Sequence, residues 1–156
     1  MTATESTAAP VEIVEVEPQL IAMVRKTVAF AGLPQAQREA RNLLDAALRD
    51  AGIGLSGRTI TVWRPPQDGM MDYAPGVFVP EGFGVSGAVS LFTLPQGRAA
   101  HLRMRGSYSG LPDAWGCLFA GIHTQGFLTA GLNWEIYAAP DVTPEEAETD
   151  LYALLA

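Results

Sequence analysis

A single acidic residue stands inside a run of strand-forming residues near the C-terminus. Glu135 lies in the segment Asn-Trp-Glu-Ile-Tyr-Ala at positions 133–138. Alternation along a strand places Trp134 and Ile136 on one face, and Glu135 with Tyr137 on the other. A lone acid in a strand is commonly a solvated edge residue. If its face lines a groove instead, Glu135 is a partly buried carboxylate that has a raised pKa or a cationic partner.

Aromatic residues recur along the predicted strands and their flanks. They are Trp63, Tyr73, Phe92, Tyr108, Trp134, Tyr137 and Tyr152. Two interpretations stay open, because these rings either fill the core or line a cavity for a flat, apolar ligand. A carboxylate among aromatic rings attracts a lipophilic cation through Coulomb and cation–π contacts. Asp72, just before Tyr73, is a second acid, and we predict it to be a turn residue.

Other common chemistries have little support in the sequence. There is no nucleophile–histidine–acid set, since the two histidines, His101 and His123, lie in a predicted strand and near a helix end. The single cysteine, Cys117, excludes an intramolecular disulfide and fits a reducing compartment. It lies in a predicted helix, where we expect it to pack. Neither a metal site nor a cofactor is expected.

Charge is concentrated at the two ends of the chain. The 156 residues carry 17 acids and 10 Lys or Arg, for a net charge of -7. Positions 1–17 hold four of the acids and no base, and positions 141–156 hold five and no base. An acidic protein repels nucleic acid, so direct binding to a polyanion is not expected. No secretory signal and no apolar run long enough for a membrane span occurs, so we expect a globular protein of the cytoplasm.

The sequence repeats itself at an offset of 78 residues. The triplet Gly-Leu-Pro occurs at 32–34 and again at 110–112, within seven identities over positions 11–36. Beyond the predicted helices the offset becomes 74, which aligns Trp63 with Tyr137 and Pro66 with Pro140. We therefore predict a flexible tail over residues 1–10 and one domain over 11–156, with halves at 11–87 and 88–156.

Each half shows strand signals on both sides of one helix. The helices begin at Pro34 and Pro112, because proline is favoured in the first helical turn. Strands are predicted at 11–16, 20–28, 59–63, 76–80, 88–94, 99–105, 134–138 and 149–155. Pro65 and Pro66 are expected to end the third strand, and Arg41 is expected on the solvent face of the first helix.

These elements predict an α+β fold. Two pseudo-symmetric strand–helix–strand–strand modules would form a curved antiparallel sheet of about eight strands, with two helices on one face. Two helices of about 10–12 Å width cannot cover such a sheet, whose strands lie about 4.8 Å apart. The seam between the halves is therefore the expected place for a groove. The Gly- and Pro-rich stretch Met70–Gly87 is a candidate lid or mobile rim.

Several segments together resemble one known family. They are Arg105–Leu111 (Arg-Gly-Ser-Tyr-Ser-Gly-Leu), Ala114-Trp115, Trp134–Tyr137, Pro140 and Thr149–Tyr152. In these segments the chain resembles the gyrase-inhibitor-like (GyrI-like) family. That family includes effector-binding domains of bacterial transcription activators and free-standing multidrug-binding relatives. The resemblance implies two fused strand–helix–strand–strand (SHS2) modules with the ligand between them. It gives a central ligand contact to Glu135 beside Tyr137, with Tyr108, Trp115, Trp63 and Tyr152 as walls.

Three functions follow as alternatives from this resemblance. The first is a stand-alone binder of a small hydrophobic or cationic molecule. The second is a hydrolase of strained electrophiles, in which Glu135 activates water and Tyr137 or Tyr108 donates a hydrogen bond. The third is a protein-interaction role with gyrase or a regulator. About ten residues precede the predicted domain, which leaves no room for a helix-turn-helix, and a monomer or a homodimer is expected.

Overall fold

A computed structural model describes residues 7–8, 10–52, 58–85, 87–139 and 142–156. In these ranges the chain forms ten strands and two α-helices, and a single 3-10 turn precedes each helix. The helices are α1 (Leu33–Asp50) and α2 (Leu111–Thr124). The strands are β1 (Thr7–Ala8), β2 (Glu12–Val16), β3 (Gln19–Met23), β4 (Lys26–Ala29), β5 (Thr59–Gln67), β6 (Met70–Phe78), β7 (Ser90–Leu94), β8 (Gly97–Arg105), β9 (Thr129–Ile136) and β10 (Glu148–Leu155).

The strands form one antiparallel sheet that curls into a half-barrel, which confirms the predicted α+β class. Its strand order is β1-β8-β10-β9-β5-β6-β3-β7, with β2 also pairing with β8 and β4 with β6. The two halves of the chain meet where β5 pairs with β9. In this central ladder Thr61 lies directly opposite Glu135.

The structure repeats in the same way as the sequence. Strands β2 (12–16) and β7 (90–94) differ by the offset of 78, as do the starts of the helices at Leu33 and Leu111. Strand β2 pairs with β8 while β7 pairs with β3, so the first strand of each half lies against the other half. Thr61 and Glu135 are equivalent under the offset of 74 and also face each other. The local two-fold axis of the domain therefore passes between these two residues.

Three hydrophobic clusters hold the sheet and helices together. Helix α1 packs through Ala40, Leu44 and Leu48 onto β3 and β6. Helix α2 packs through Leu118 and Ile122 onto β8 and β10. The third cluster lies on the opposite face of the sheet and contains Ile21, Met23, Ile60, Val62, Leu94 and Trp134. Because each helix covers its own half, the central strands stay uncovered between the helices.

The β5–β6 hairpin corrects the predicted end of a strand at Pro65 and Pro66. Strand β5 continues to Gln67, and its register against β6 shifts between Arg64 and Gln67, where the prolines lie. Prolines are tolerated at such a bulge because the strand pairing is interrupted there and does not require the N–H that proline lacks. Asp68 and Gly69 then turn the chain with positive φ angles of 54° and 74°. An Asp-Gly pair is a strong hairpin signal that the sequence interpretation overlooked.

The same hairpin overturns two other predictions. Residues 70–78 of the candidate lid form β6, a strand inside the sheet, and therefore cannot act as a lid. Asp72 is a strand residue, not a turn residue, and its Oδ2 accepts from Arg25 Nη2 at 2.7 Å. This ion pair holds the pKa of Asp72 below its ordinary value.

Smaller differences concern the ends of the predicted elements. The predicted strand at 20–28 is two strands, β3 and β4, since its pairing is interrupted at Val24 and Arg25. Thr7 and Ala8, predicted to be tail, pair with β8, and the rest of that tail before Pro10 lies outside the described residues. Pro140, used in the repeat, also lies outside them. Cys117 is exposed, and neither described helix is long and apolar enough to cross a membrane.

Candidate functional site

A groove of about 790 Å³ lies between the two helices, above β5 and β9. The first turns of the helices form its two sides through Leu33 and Pro34 of α1 and Leu111 and Pro112 of α2. These residues belong to the repeated Gly-Leu-Pro triplets, so the repeat itself builds the rim. The groove lies at the predicted seam, where the curled sheet is not covered by a helix.

Glu135 forms part of the groove floor and is only 4% exposed. Its Oε1 accepts a hydrogen bond from Trp115 Nε1 at 2.6 Å, and its Oε2 accepts one from Tyr137 Oη at 2.6 Å. Burial raises the pKa of Glu135, and these two hydrogen bonds oppose that rise by stabilising the carboxylate. Among the described residues, Glu135 has no ion-pair partner.

Tyr137 is the second polar group of the floor. Burial and the neighbouring Glu135 charge raise the pKa of its phenol well above the ordinary value, so the hydroxyl keeps its proton and donates. The ring of Tyr108 meets the Tyr137 ring edge-on, with 5.7 Å between centroids. Tyr108 is half exposed and lies toward the mouth of the groove. These two tyrosines therefore extend the site from the buried carboxylate toward solvent.

Stacked aromatic rings form the walls on either side of Glu135. Trp63 stacks on Tyr73 at a centroid distance of 5.1 Å, and Trp115 stacks on Phe119 at 5.6 Å. The Trp63 indole lowers the pKa of Glu135 less than Tyr137 and Trp115 do, and its Nε1 forms no hydrogen bond within the described part of the chain. The site thus combines one carboxylate, one buried phenol and flat apolar surfaces.

Arg41 also lines the groove, although the helical spacing predicted a solvent position for it. Its guanidinium reaches down from α1 and donates to Gly76 O at 2.9 Å and to Ile60 O at 3.1 Å. Burial lowers the pKa of Arg41. The repeat carried a signal that could have found it, because position 41 is equivalent at offset 78 to Phe119, an apolar residue of the second helix.

Six of the nine predicted binding residues surround this groove. They are Glu135, Tyr137, Tyr108, Trp115, Trp63 and Tyr73. The other three, Trp134, Tyr152 and Phe92, lie on the opposite face of the sheet. There Trp134 stacks on Tyr152 with 5.5 Å between centroids. The structure therefore corrects the prediction that these three residues line the groove. Adjacent strand residues point to opposite faces, and Trp134 directly precedes Glu135.

The sequence matches the GyrI-like small molecule binding domain over residues 9–156. The chain belongs to this family. The match covers both halves of the repeat, so the groove of this GyrI-like domain lies within the matched region. No curated protein sequence matches the chain.

Solved structures share the fold of this GyrI-like domain at low sequence identity. The C-terminal domain of EcmrR has a TM-score of 0.71 and 17% identity, with 97% of this chain and 98% of that chain covered. This chain spans 57% of the EcmrR chain in its complex with DNA, at 18% identity and a TM-score of 0.67.

Two further structures carry descriptions that concern ligands or activity. SAV2435, solved bound to tetraphenylphosphonium, has a TM-score of 0.65 and 15% identity, with 95% and 94% of the two chains covered. A protein of Listeria innocua encoded by lin2189 and described as a hydrolase has a TM-score of 0.64 and 12% identity, with 94% and 92% covered. At these identities the likeness establishes a common fold.

Metal-ligating side chains do not gather in the described part of the GyrI-like domain. Within it, no group of three or more His, Cys, Asp or Glu residues is placed to hold an ion. His101 contacts Asp150 on the face of the sheet that points away from the groove, with 2.7 Å between His101 Nε2 and Asp150 Oδ1. The chemistry that the groove offers therefore comes from Glu135, Tyr137, Arg41 and the aromatic rings.

Proposed function

We propose that this GyrI-like domain binds a hydrophobic organic cation in the groove between its helices, with the positive charge at Glu135. One observation carries the proposal: Glu135 is a buried carboxylate that two neutral donors hold and that has no ion-pair partner among the described residues. A buried charge normally pairs with another charge, because desolvating it alone is costly. A cationic ligand would supply the missing charge.

The walls suit the apolar body of such a ligand. Aromatic faces attract a cation through their quadrupole and give flat surfaces for its rings. Trp63 and Trp115 both line the groove beside Glu135, so a cation there lies next to two indole rings. SAV2435, which has the same fold, was solved with tetraphenylphosphonium, a lipophilic cation of this class.

Arg41 restricts where the positive charge of the ligand can lie. Its guanidinium is fixed on β5 and β6 carbonyl oxygens and so remains in the groove as a second, positive centre. A ligand cation is repelled from Arg41 and attracted to Glu135, and this combination sets one orientation for the ligand. The groove therefore favours a compact positive charge at its centre over a charge spread along the whole ligand.

Titration of the intrinsic tryptophan fluorescence tests this proposal. The probes are tetraphenylphosphonium, its near-isosteric anion tetraphenylborate and neutral triphenylphosphine oxide. We expect the cation to bind most tightly, and Glu135→Gln to weaken its binding by at least about tenfold, or about 1.4 kcal/mol. Glu81→Gln, the same change at an exposed residue, should bind as the unaltered protein does. Equal binding of cation and anion, or no effect of Glu135→Gln, would overturn the proposal.

Hydrolysis of a strained electrophile is a second candidate function. The hydrogen bond from Tyr137 Oη to Glu135 Oε2 at 2.6 Å favours it, since it joins a buried base and a buried donor in one site. A Listeria innocua protein of the same fold is described as a hydrolase. In this reaction Glu135 takes a proton from water and the water oxygen bonds to the strained carbon. The ring bond breaks, and the proton passes from Glu135 to the other atom of that bond, which restores the carboxylate.

Mass spectrometry separates the hydrolase from the binder. A cyclopropane conjugated to a carbonyl group serves as the strained probe, and water addition raises its mass by about 18 Da. Turnover that Glu135→Gln abolishes would assign the hydrolase, whereas intact probe recovered from the protein would exclude that activity for it. The gyrase or regulator interaction stays a prediction from the sequence, because no feature of the groove favours it.

A further inference from the structure

A second cavity, which we call the side chamber, adjoins the groove at Glu135. Its volume is about 460 Å³, and it shares Trp63, Trp115 and Glu135 with the groove. Cavities of about 300–1,000 Å³ are typical of small-molecule sites. Since the same carboxylate lines both spaces, a ligand whose charge lies at Glu135 has room to extend into either.

Apolar walls of the side chamber come from β5, β6 and α2, and β9 forms the rest of its lining. Pro65 and Pro66 enter from the bulge of β5, Met71 from β6, and Phe119 from α2. The Phe119 ring stacks on Trp115 and continues the flat surface away from the groove. The chamber therefore fits a flat, apolar group such as an aromatic ring system.

Asn133 gives the side chamber a polar group that the protein leaves unpaired. Its Oδ1 is buried and has no hydrogen-bond partner among the described residues. Asn133 lies two residues before Glu135 on β9, so both side chains are on the same face of the sheet. A buried acceptor without a partner is costly, and a ligand donor that reaches it would recover that cost.

The groove and the side chamber form one combined cavity, and its two ends differ although the local two-fold axis relates their backbones. The groove contains Arg41 of α1, whereas the equivalent position of α2 is Phe119, which lines the side chamber. Arg64 also lines the side chamber, but its guanidinium lies over the Phe92 ring on the opposite face of the sheet, with 5.4 Å between Arg64 Cζ and the ring centroid. The equivalent positions 41 and 119 therefore leave a positive charge at the groove end and an aromatic ring at the other end. A ligand that occupies both ends is therefore held in one direction, with its apolar arm toward Phe119.

Resting on the proposed function, we infer that the side chamber holds the aromatic arm of an elongated organic cation. The positive charge of that cation lies at Glu135, and a hydrogen-bond donor on the arm reaches Asn133 Oδ1. The ligand class is then a cation with a flat, donor-bearing arm, and a compact cation leaves the chamber empty.

Three phosphonium probes with one cationic head test this inference. They are methyltriphenylphosphonium, its (1-naphthyl)methyl analogue and the hydroxynaphthyl form of that analogue. We expect the naphthyl arm to tighten binding by at least about tenfold, because it buries additional apolar area. The hydroxyl should add about threefold or more, which Asn133→Leu should remove while leaving the gain from the plain naphthyl arm unchanged.

Phe119→Ala tests the wall, and Phe30→Ala is its matched control. Phe119 is 40% exposed, so its truncation should leave the fold intact while reducing the gain from the naphthyl arm severalfold. Phe30 is an exposed phenylalanine at 74%, and its truncation should leave that gain unchanged. Binding of the methyl compound should be unchanged by Phe30→Ala, and Phe119→Ala should weaken it much less than it reduces the gain from the naphthyl arm, because the methyl compound does not extend into the side chamber.

The outcomes separate this inference from the proposed function. If the methyl compound does not bind, or binds independently of Glu135→Gln, the proposed function is wrong. If it binds through Glu135 but the naphthyl arm gives no gain, or the gain survives Phe119→Ala in full, the side chamber is not the subsite and the inference is overturned. A gain that Phe119→Ala reduces and Phe30→Ala does not would establish it.

Discussion

Two buried carboxylates on neighbouring strands, Glu135 on β9 and Asp150 on β10, differ in nearly everything except burial. Glu135 is 4% exposed and Asp150 is 1% exposed. Glu135 faces the groove and accepts from an indole and a phenol. Asp150 lies on the other face of the sheet, where Arg58 Nη2 at 2.6 Å and Arg103 Nε at 2.9 Å contact its two oxygens.

Their pKa values move in opposite directions for this reason. Burial raises the pKa of Glu135 because the hydrogen bonds from neutral donors do not fully offset desolvation. Desolvation also acts on Asp150, but His101, Arg103 and Arg58 together hold its pKa far below the ordinary value. The comparison shows that burial alone does not make a carboxylate a site. No described residue gives Glu135 a cationic partner, which is why we propose it as the ligand contact, whereas Asp150 already pairs with two guanidinium groups.

The largest expected effect is on stability, from Asp150→Asn. The change leaves two guanidinium groups facing a neutral amide, and we expect the free energy of unfolding to fall by about 2–4 kcal/mol. The lower end applies if solvent screens the two arginines, which are partly exposed. Urea unfolding at pH 7 measures it. The exposed Glu148→Gln, which also faces Arg103, should cost less than about 0.5 kcal/mol. Equal losses would mean that burial does not distinguish the two acids.

The second prediction concerns the pH dependence of stability. Asp150 has a lowered pKa in the folded protein, so its contribution is present above pH 3.8 and is lost as the pH falls below that value. Glu135 has a raised pKa, so its contribution has the opposite sign and declines as the pH rises above 4.5. In urea unfolding between pH 3 and 8, the gap between the unaltered protein and Asp150→Asn should narrow toward low pH. A gap that widens there would contradict the assignment.

The third prediction sharpens the account of Glu135. Trp115→Phe removes the indole donor at 2.6 Å and should raise the pKa of Glu135 further, because the carboxylate loses a hydrogen bond that stabilises its charge. Carboxyl chemical shifts of ¹³C-labelled glutamate, followed against pH, report this value. Trp63→Phe is the matched control and should raise it less, since Trp63 Nε1 forms no hydrogen bond among the described residues. Equal shifts would show that the hydrogen bond from Trp115 does not govern the pKa of Glu135.

The smallest expected effect is that of Glu135→Gln on stability. The amide keeps the shape of the side chain while removing a buried charge that lacks an ion pair, so we expect a change within about 1 kcal/mol and toward higher stability at pH 7. Thermal unfolding without ligand measures it. A fall of several kcal/mol in the free energy of unfolding would mean that Glu135 stabilises the fold as Asp150 does. The contrast with Asp150→Asn is therefore the most direct test of the comparison.

Local sequence signals predicted most of the fold. The prolines at 34 and 112, with the apolar spacing that follows, located both helices to within one residue of their observed starts. The prediction failed where pairing overrode composition, as at Pro65 and Pro66, because a bulge beyond the β9 pairing accommodates both prolines. Strand alternation correctly placed Glu135 and Tyr137 on one face and Trp134 on the other. The same alternation excludes Trp134 from the groove, so its predicted place there was wrong.

The sequence by itself determined the repeat, the α+β class and the position of one acid among strand residues. Periodicity and turn chemistry are local properties, and a chain carries them before it folds. Only the tertiary structure decided that Arg41 turns inward onto the sheet and that Trp115, from a different element, meets Glu135. It also decided that Asp150 has three partners and Glu135 none that is charged among the described residues. Electrostatic environment depends on distances between elements far apart in sequence, and those distances exist only once the sheet curls and the helices pack on it.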